Sequence, residues 1–368
     1  TIQICSRGLA SAGAGADGKP QVLLDSIDAG LLEIRSQQKE GTERTLVEVL
    51  SAWHSKCIDR YSRGGGQLLG PSWGFNSADK RIDGYLDKLT SGLVPGDMVV
   101  VAARPGCGKT AFALSVATAV AMQGVFVHFF SLEMQGDALG ERVAHQEARA
   151  DLNRTRTGYA TEADFQKLVV ASSDLGRITP GMCIDDASTM TTLTLRAKAR
   201  RIKSQHGTGL IVIDYLQLLK ASGKHFNREQ EVAEISSTLR ELAKDLNVPV
   251  LVLAQLNRDS EKNNKRPKLA DLRESGQIEQ DAATVLMLHD ICFKDTAEEE
   301  VFWEQAESEC GQDWSDQMKR IDAEVVKNRH GPSDTKFQMI FRKKCVRFEC
   351  WEKPADFEAK VHVRREAA

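Results

Sequence analysis

The stretch Ala103–Thr110 reads ARPGCGKT, with the apolar run VVVA before it and the helical pattern AFALSVATAVAMQ after it. A turn between strand and helix aims backbone N–H groups and a helix N-terminus at one point, which is chemistry for holding an anion. Gly106 and Gly108 let the backbone wrap closely around phosphate. Lys109 would neutralise the β- and γ-phosphates of ATP, and Thr110 would ligate Mg²⁺. The pattern G-x-x-x-x-G-K-[ST] is met everywhere except at Ala103, where it asks for glycine. Arg104, Pro105, Gly106, Cys107, Gly108, Lys109, Thr110 and Ala111 are the candidate ATP contacts.

Three further residues can complete phosphoryl chemistry. Asp214 closes the apolar run LIVI, where a parallel sheet presents its ligand crevice. A carboxylate there is costly unless it serves Mg²⁺ or a hydrogen bond. Glu133, in FFSLEM, follows a second apolar run and is the candidate general base for water. Gln255, in LVLAQLNR, ends a third, where an amide can touch the γ-phosphate and register its loss. The plain alternatives are a capping Asp, a surface Glu and a structural amide.

These residues need a scaffold that brings strand ends together. From Asp97 onward apolar strands alternate with helical patterns: DMVVVAA, VFVHFFS, MCIDDA, LIVID, VPVLVLAQL and AATVLMLHD, separated by amphipathic segments. That order predicts a mostly parallel sheet covered on both faces. DAEVVKNRHG and TKFQMIFRKKCVRFE read as strands in a hairpin-like extension. Ahead of the core, LLDSIDAGLLEIRSQQ and LVEVLSAWHSKCIDRY have helical spacing, and SRGGGQLLGPSWG reads as a flexible joint.

Composition narrows the function classes. The net charge of -3 excludes bulk polycationic binding, so any contact to nucleic acid needs a local basic patch or a ring of subunits. The eight cysteines are scattered without a CxxC pair, which reads as reduced thiols rather than a disulfide framework or zinc site. No apolar run reaches the roughly 18–20 residues of a membrane span, and no signal peptide heads the chain. The chain starts at Thr1 rather than Met, which leaves room for an N-terminal domain ahead of it.

Six blocks, in order, carry a family resemblance: WGFNSADKRIDGYLDKLTSGLVPGDMVVVAARPGCGKTAFAL, FFSLEM, LIVIDYLQLL, NREQEVAEISSTLRELAKDLNVPVLVLAQLNR, PKLADLRESGQIEQDAATVLML and VVKNRHGP. From Gly74 to Phe348 the chain resembles the C-terminal motor domain of DnaB-type replicative helicases. The resemblance implies an α/β fold, a RecA-like P-loop NTPase core with a mostly parallel twisted sheet, preceded by linker helices. It implies a homo-oligomeric ring, usually a hexamer, that hydrolyses ATP with Mg²⁺ and moves 5′→3′ on single-stranded DNA. By motif, Glu133 is then the catalytic base, Asp214 the second Mg²⁺ residue and Gln255 the γ-phosphate sensor. Lys327 and Arg329 match cations that each subunit inserts into its neighbour's site. Arg273, Glu274 and Gly276 match a loop facing the central channel, with Glu274 orienting Arg273. A second loop offers Lys220, Lys224 and Arg228. Few aromatics interleave these cations, so salt-sensitive phosphate tracking without base reading is the expected mode. A helicase loader and a primase are further expected partners, with no membrane.

The expected organisation is a flexible segment over 1–22, linker-like helices and a joint over 23–73, the motor over 74–350 and a tail over 351–368. The family's full N-terminal helical domain is not legible in 1–73. Residues 295–322 hold ten acids against one Lys and one Arg and read as an acidic surface insertion. These departures fit a phage- or plasmid-encoded protein of the bacterial cytoplasm. Competing readings are a RecA/RadA-like recombinase, a KaiC-like regulatory ATPase and the motor fragment of a primase–helicase. DLRESGQIEQDA and KNRHG fit the helicase pattern better than the recombinase one.

Overall fold

The computed structural model describes residues 44–62, 68–75, 85–178, 181–223, 227–256, 267–272, 276–290 and 318–350. Contacts divide the chain into two units, residues 1–67 with Leu193–Arg201, and residues 68–192 with 202–368. In the first, helix α1 (Leu46–Ser62) opens on a capping box. Thr45 N–H donates to Glu48 Oε2 at 2.8 Å and Glu48 N–H to Thr45 Oγ1 at 3.4 Å. No α1 residue is buried, and Leu50, Trp53 and Ile58 stand exposed. The helix expected upstream of it lies outside the described residues.

The second unit is built on β1 (Met98–Ala103), β2 (Val127–Ser131), β3 (Met182–Asp185), β4 (Leu210–Asp214), β5 (Val250–Gln255), β6 (Thr284–Asp290), β7 (Met318–Asn328), β8 (Thr335–Arg342) and β9 (Arg347–Cys350). They form one sheet in the order β3-β2-β4-β5-β1-β6-β7-β8-β9. The first six pair in parallel and the last three add antiparallel. β1, β2 and β4 are buried at every position, which is why they read as unbroken apolar runs.

The helices that follow are α2 (Tyr85–Thr90), α3 (Lys109–Met122), α4 (Gly136–Ala148), α5 (Leu152–Arg156), α6 (Glu162–Gly176), α7 (Thr192–His206), α8 (Arg228–Leu246) and α9 (Gly276–Asp281). All belong to the second unit except α7, which is divided between the two. α3 is apolar on all sides and buried from Ala111 to Ala121 save Ser115, as a central helix must be. Its Phe112 stacks on Phe75 at 5.4 Å and meets Phe348 edge-on at 5.5 Å. α8 buries one stripe, Val232, Ile235, Ser236, Leu239, Leu242, Ala243 and Leu246, and its other positions are half-buried or exposed.

The C-terminal strands form a hairpin, β7 with β8, as the sequence predicts, and β7 pairs antiparallel with β6, so the hairpin extends the main sheet. Two expectations need correction. The end of the acidic segment is not insertion: Met318–Asp322 begins β7, with Met318 and Ile321 buried. The rest of that segment, residues 295–317, lies outside the described residues. The second half of the supposed joint, residues 68–74, is packed. Trp73 is buried with its indole N–H on Thr90 Oγ1 at 2.9 Å. Asp87 accepts from Ser72 Oγ at 2.5 Å and from Trp73 N–H at 3.0 Å. Burial pushes the Asp87 carboxyl up while these two bonds hold it down.

Candidate active site

Register sets the site. Ala103 of β1 pairs with Gln255 of β5, and Ser131 of β2 with Asp214 of β4. The ends of four parallel strands therefore share one sheet edge, with Glu133 two residues past β2. Ala103 is buried and paired on both sides, with extended backbone. This position asks for no glycine conformation, so alanine replaces the expected first glycine without strain. The turn proper needs glycine twice, at Gly106 (φ +77°) and Gly108 (φ +85°).

Gly108 is also pressed by its surroundings. A Cβ there would lie 2.9 Å from Phe348 Cε2, on β9. Gly108→Ala is expected to combine overpacking of about 1–3 kcal/mol with a left-handed strain of about 1–2 kcal/mol. Thermal melting and nucleotide titration should both show the loss. Gly106→Ala, with no atom within 4 Å of the added carbon, should carry the strain alone. Equal melting temperatures for the two variants would contradict this reading.

Lys109 opens α3, and its Nζ donates to Ala254 O at 3.3 Å and sits 5.3 Å from the Tyr215 ring centre. Burial pushes its ammonium down, while Asp214, Glu133 and Cys107 pull it up. Asp214 is 1% exposed; among the described residues neither carboxylate oxygen meets a partner at full hydrogen-bond geometry, and the Thr110 hydroxyl is a donor beside it. Burial raises its pKa to about 6; the nearby Thr110 hydroxyl, Lys109 and Arg142 act against this, and Glu133 adds to it. A buried carboxylate left this bare, beside a threonine hydroxyl and a lysine, fits a divalent cation. The turn bearing Glu133 is closed by Ser131 Oγ, which donates to Met134 O at 2.6 Å and accepts from Met134 N–H at 3.2 Å.

Lys109, Thr110, Glu133, Asp214 and Gln255 are thus brought to one edge. Sequence reading missed three companions. Arg142 projects from α4, its guanidinium pushed down by burial and pulled back up by Asp214, Glu133 and Glu141. Tyr215 faces Lys109. Gln217 clasps the Gln255 backbone, donating Nε2 to its carbonyl at 3.1 Å and accepting its N–H on Oε1 at 3.3 Å. No local pattern marks these; only packing does. Cys107 is buried, and burial pushes its thiol up, so it is shape rather than chemistry in the turn.

Lys327 and Arg329 lie elsewhere. Asn328 pairs with Thr284, which pairs with Val99, so both cations sit near the opposite edge of the sheet. At about 3.3 Å per residue, roughly 13 Å of strand separates that level from Ala103. Lys327 Nζ donates to the carbonyls of Glu279 and Gln280 (the latter at 3.4 Å), and Arg329 Nη2 to Gln280 O at 2.9 Å. Burial and Arg329 push the Lys327 ammonium down, against Glu279 and Asp281.

Of the candidate DNA contacts, Gly276 opens α9 and is exposed. Arg228 heads α8, where Nη1 donates to Glu231 at 2.5 Å and Nη2 to Gln217 O at 2.7 Å. These two bonds stay inside the subunit and brace the loop after β4. Arg273, Glu274 and Lys224 lie outside the described residues.

Residues 84–350 match the family model for the DnaB-like helicase C terminal domain. The chain is 36% identical over 358 residues to the replicative DNA helicase DnaB of Geobacillus stearothermophilus, covering 96% of this chain and 72% of that one. It is 37% identical over 284 residues to the replicative DNA helicase DnaC of Bacillus subtilis, covering 76% of this chain and 60% of that one. Among solved structures, an isolated ATPase domain aligns with a TM-score of 0.68 at 28% identity, over 84% of this chain and 100% of that one. A DnaB-like replicative helicase studied with primase aligns at 0.71 and 26% identity, over 95% and 75%. No helix among the described residues is long and apolar enough to cross a membrane. The chain belongs to the DnaB family of replicative DNA helicases and carries its RecA-like, ATP-hydrolysing C-terminal motor domain.

Proposed function

We propose that the chain works as a closed ring, a hexamer in its family's usual form, that moves 5′→3′ along single-stranded DNA with ATP hydrolysed between subunits. One observation carries this reading. The phosphate turn and the cations Lys327 and Arg329 occupy opposite edges of one sheet, so a subunit cannot supply both to the same ATP. Arg104–Ala111 would cradle the nucleotide, with Lys109 on the phosphates and Gln255 near the γ-phosphate. Thr110 and Asp214 would hold Mg²⁺, which when bound neutralises charge on the phosphate oxygens. Glu133 would orient the attacking water and take its proton. Arg329 and Lys327 of the next copy would meet the charge that spreads over the transferring phosphoryl group.

The exposed apolar side chains of α1 suit docking on a second copy. Arg273, Glu274, Gly276, Lys224 and Arg228 are the proposed DNA contacts, multiplied around a ring into a basic channel. A primase and a loader are the proposed protein partners, the first supported by the primase studied with a structural relative. The bacterial relatives support a cytoplasmic setting, with a phage or plasmid origin proposed from the divergent acidic segment.

The test is ATPase rate per subunit against protein concentration, with and without single-stranded DNA, beside Lys109→Ala. A rate that climbs with both, and vanishes in the variant, is expected. A flat, DNA-independent rate would point to a self-contained regulatory ATPase.

A further inference from the structure

The turn that carries Arg329 is tied to the body of the unit from several sides. Arg329 N–H donates to Ala283 O at 3.0 Å. Asn328 Nδ2 donates to Leu89 O at 2.8 Å and to Pro332 O at 3.3 Å, and Asn328 Oδ1 accepts from His330 N–H at 3.1 Å. Gly331 lies so close to α2 that a Cβ would fall 2.4 Å from Leu89 O. The remaining tie is a side-chain pair that crosses the chain. His330 Nε2 donates to Asp97 Oδ2 at 2.5 Å, with the two side chains only 29% and 21% exposed.

Asp97 stands immediately before β1, and its carbonyl accepts from Val250 N–H at 2.9 Å. β1 is the rigid, fully buried strand whose other end becomes the phosphate turn. The partly shielded pair therefore fastens the turn after β7 to the centre of the sheet, two strands away. Nothing else holds His330 over β1 in this way among the bonds described above. A long guanidinium side chain works on a neighbour's phosphate only if its backbone base is held still, because misplacement by about 1 Å can cost about 10²-fold in rate.

We propose that the Asp97–His330 pair is a positioning device for Arg329, fixing the turn from which that cation reaches the neighbouring subunit's ATP. The proposal rests on the trans-acting reading of Arg329 given above. His330 and Asp97 touch no nucleotide; they act through the backbone of the turn.

The experiment uses the full chain with saturating single-stranded DNA. His330→Ala and Asp97→Ala should each lower kcat by roughly tenfold, with KM for ATP and the oligomer size by mass photometry unchanged. His330→Gln should restore most of the rate, since its Nε2 amide can donate to Asp97 from a similar place. In an Arg329→Ala background, His330→Ala should cause no further loss, because the group it positions is gone. Wild-type kcat in His330→Ala beside an inactive Arg329→Ala would overturn the positioning role alone. So would an equal further loss in the Arg329→Ala background, or a loss expressed as failed assembly that glutamine does not rescue. Normal turnover in Arg329→Ala would overturn the trans-acting reading, and this role with it.

Discussion

Arg329→Ala is expected to lower ATP turnover by ~10³–10⁵-fold while leaving nucleotide binding in place. The size follows from the loose phosphoryl transition state, whose spread charge has few other cations to meet it. The separation of effects follows from the sheet. Arg329 lies near the N-terminal end of β1's neighbours and Ala103 at the C-terminal end, so the variant leaves the phosphate turn untouched. Mixing makes the point sharper. Lys109→Ala subunits lack a phosphate lysine but keep a sound Arg329, and Arg329→Ala subunits have the reverse. Neither alone should turn over, yet a mixture should recover activity at those interfaces where Lys109 and Arg329 are both intact. Turnover by pure Arg329→Ala, or silence in the mixture of assembled rings, would place the hydrolytic cation elsewhere.

Asp214→Asn is expected to abolish Mg²⁺-dependent hydrolysis and, without nucleotide, to raise the melting temperature near neutral pH. The carboxylate is buried beside the Thr110 hydroxyl with no full hydrogen bond among the described residues, and burial lifts its pKa from 3.8 to about 6. Between those values the folded state holds a proton that the unfolded state has released. Stability from this group therefore falls as pH rises through that window, by on the order of 3 kcal/mol when complete. Above pH ~6 the ionised group is a standing cost that cation binding relieves. Asparagine removes the charge, so the gap in melting temperature between variant and native protein should close as pH drops toward 4. Mg²⁺ with a non-hydrolysable ATP analogue should stabilise the native chain and do little for the variant. A lower melting temperature for Asp214→Asn at neutral pH would mean that the carboxylate is satisfied inside the protein.

The phosphate turn was legible because its chemistry is local: two positive-φ glycines, a lysine and a threonine act within one strand–turn–helix unit. Asp214 and Gln255 were legible because polar residues ending apolar runs are costly anywhere but a crevice. Arg142, Tyr215 and Gln217 were not, since nothing in a short window says which neighbour a helix or loop residue will face. The use of Arg228 as an internal brace was hidden for the same reason: a basic residue in a loop reads alike whether it meets phosphate or a carbonyl.

By itself, then, the sequence determined the alternation of strands and helices, the glycine-rich strand–turn–helix unit and the residue types of the proposed catalytic set. These follow from residue type and periodicity, which are properties of neighbouring positions. Strand order and register, which only the tertiary structure decided, brought Glu133, Asp214 and Gln255 to the edge that holds Lys109. The same ordering put β7 antiparallel beside β6 and carried Lys327 and Arg329 to the far edge. Pairing partners as far apart as Val99 and Thr284 are selected by burial and hydrogen-bond satisfaction across the whole sheet, and no local pattern encodes that choice.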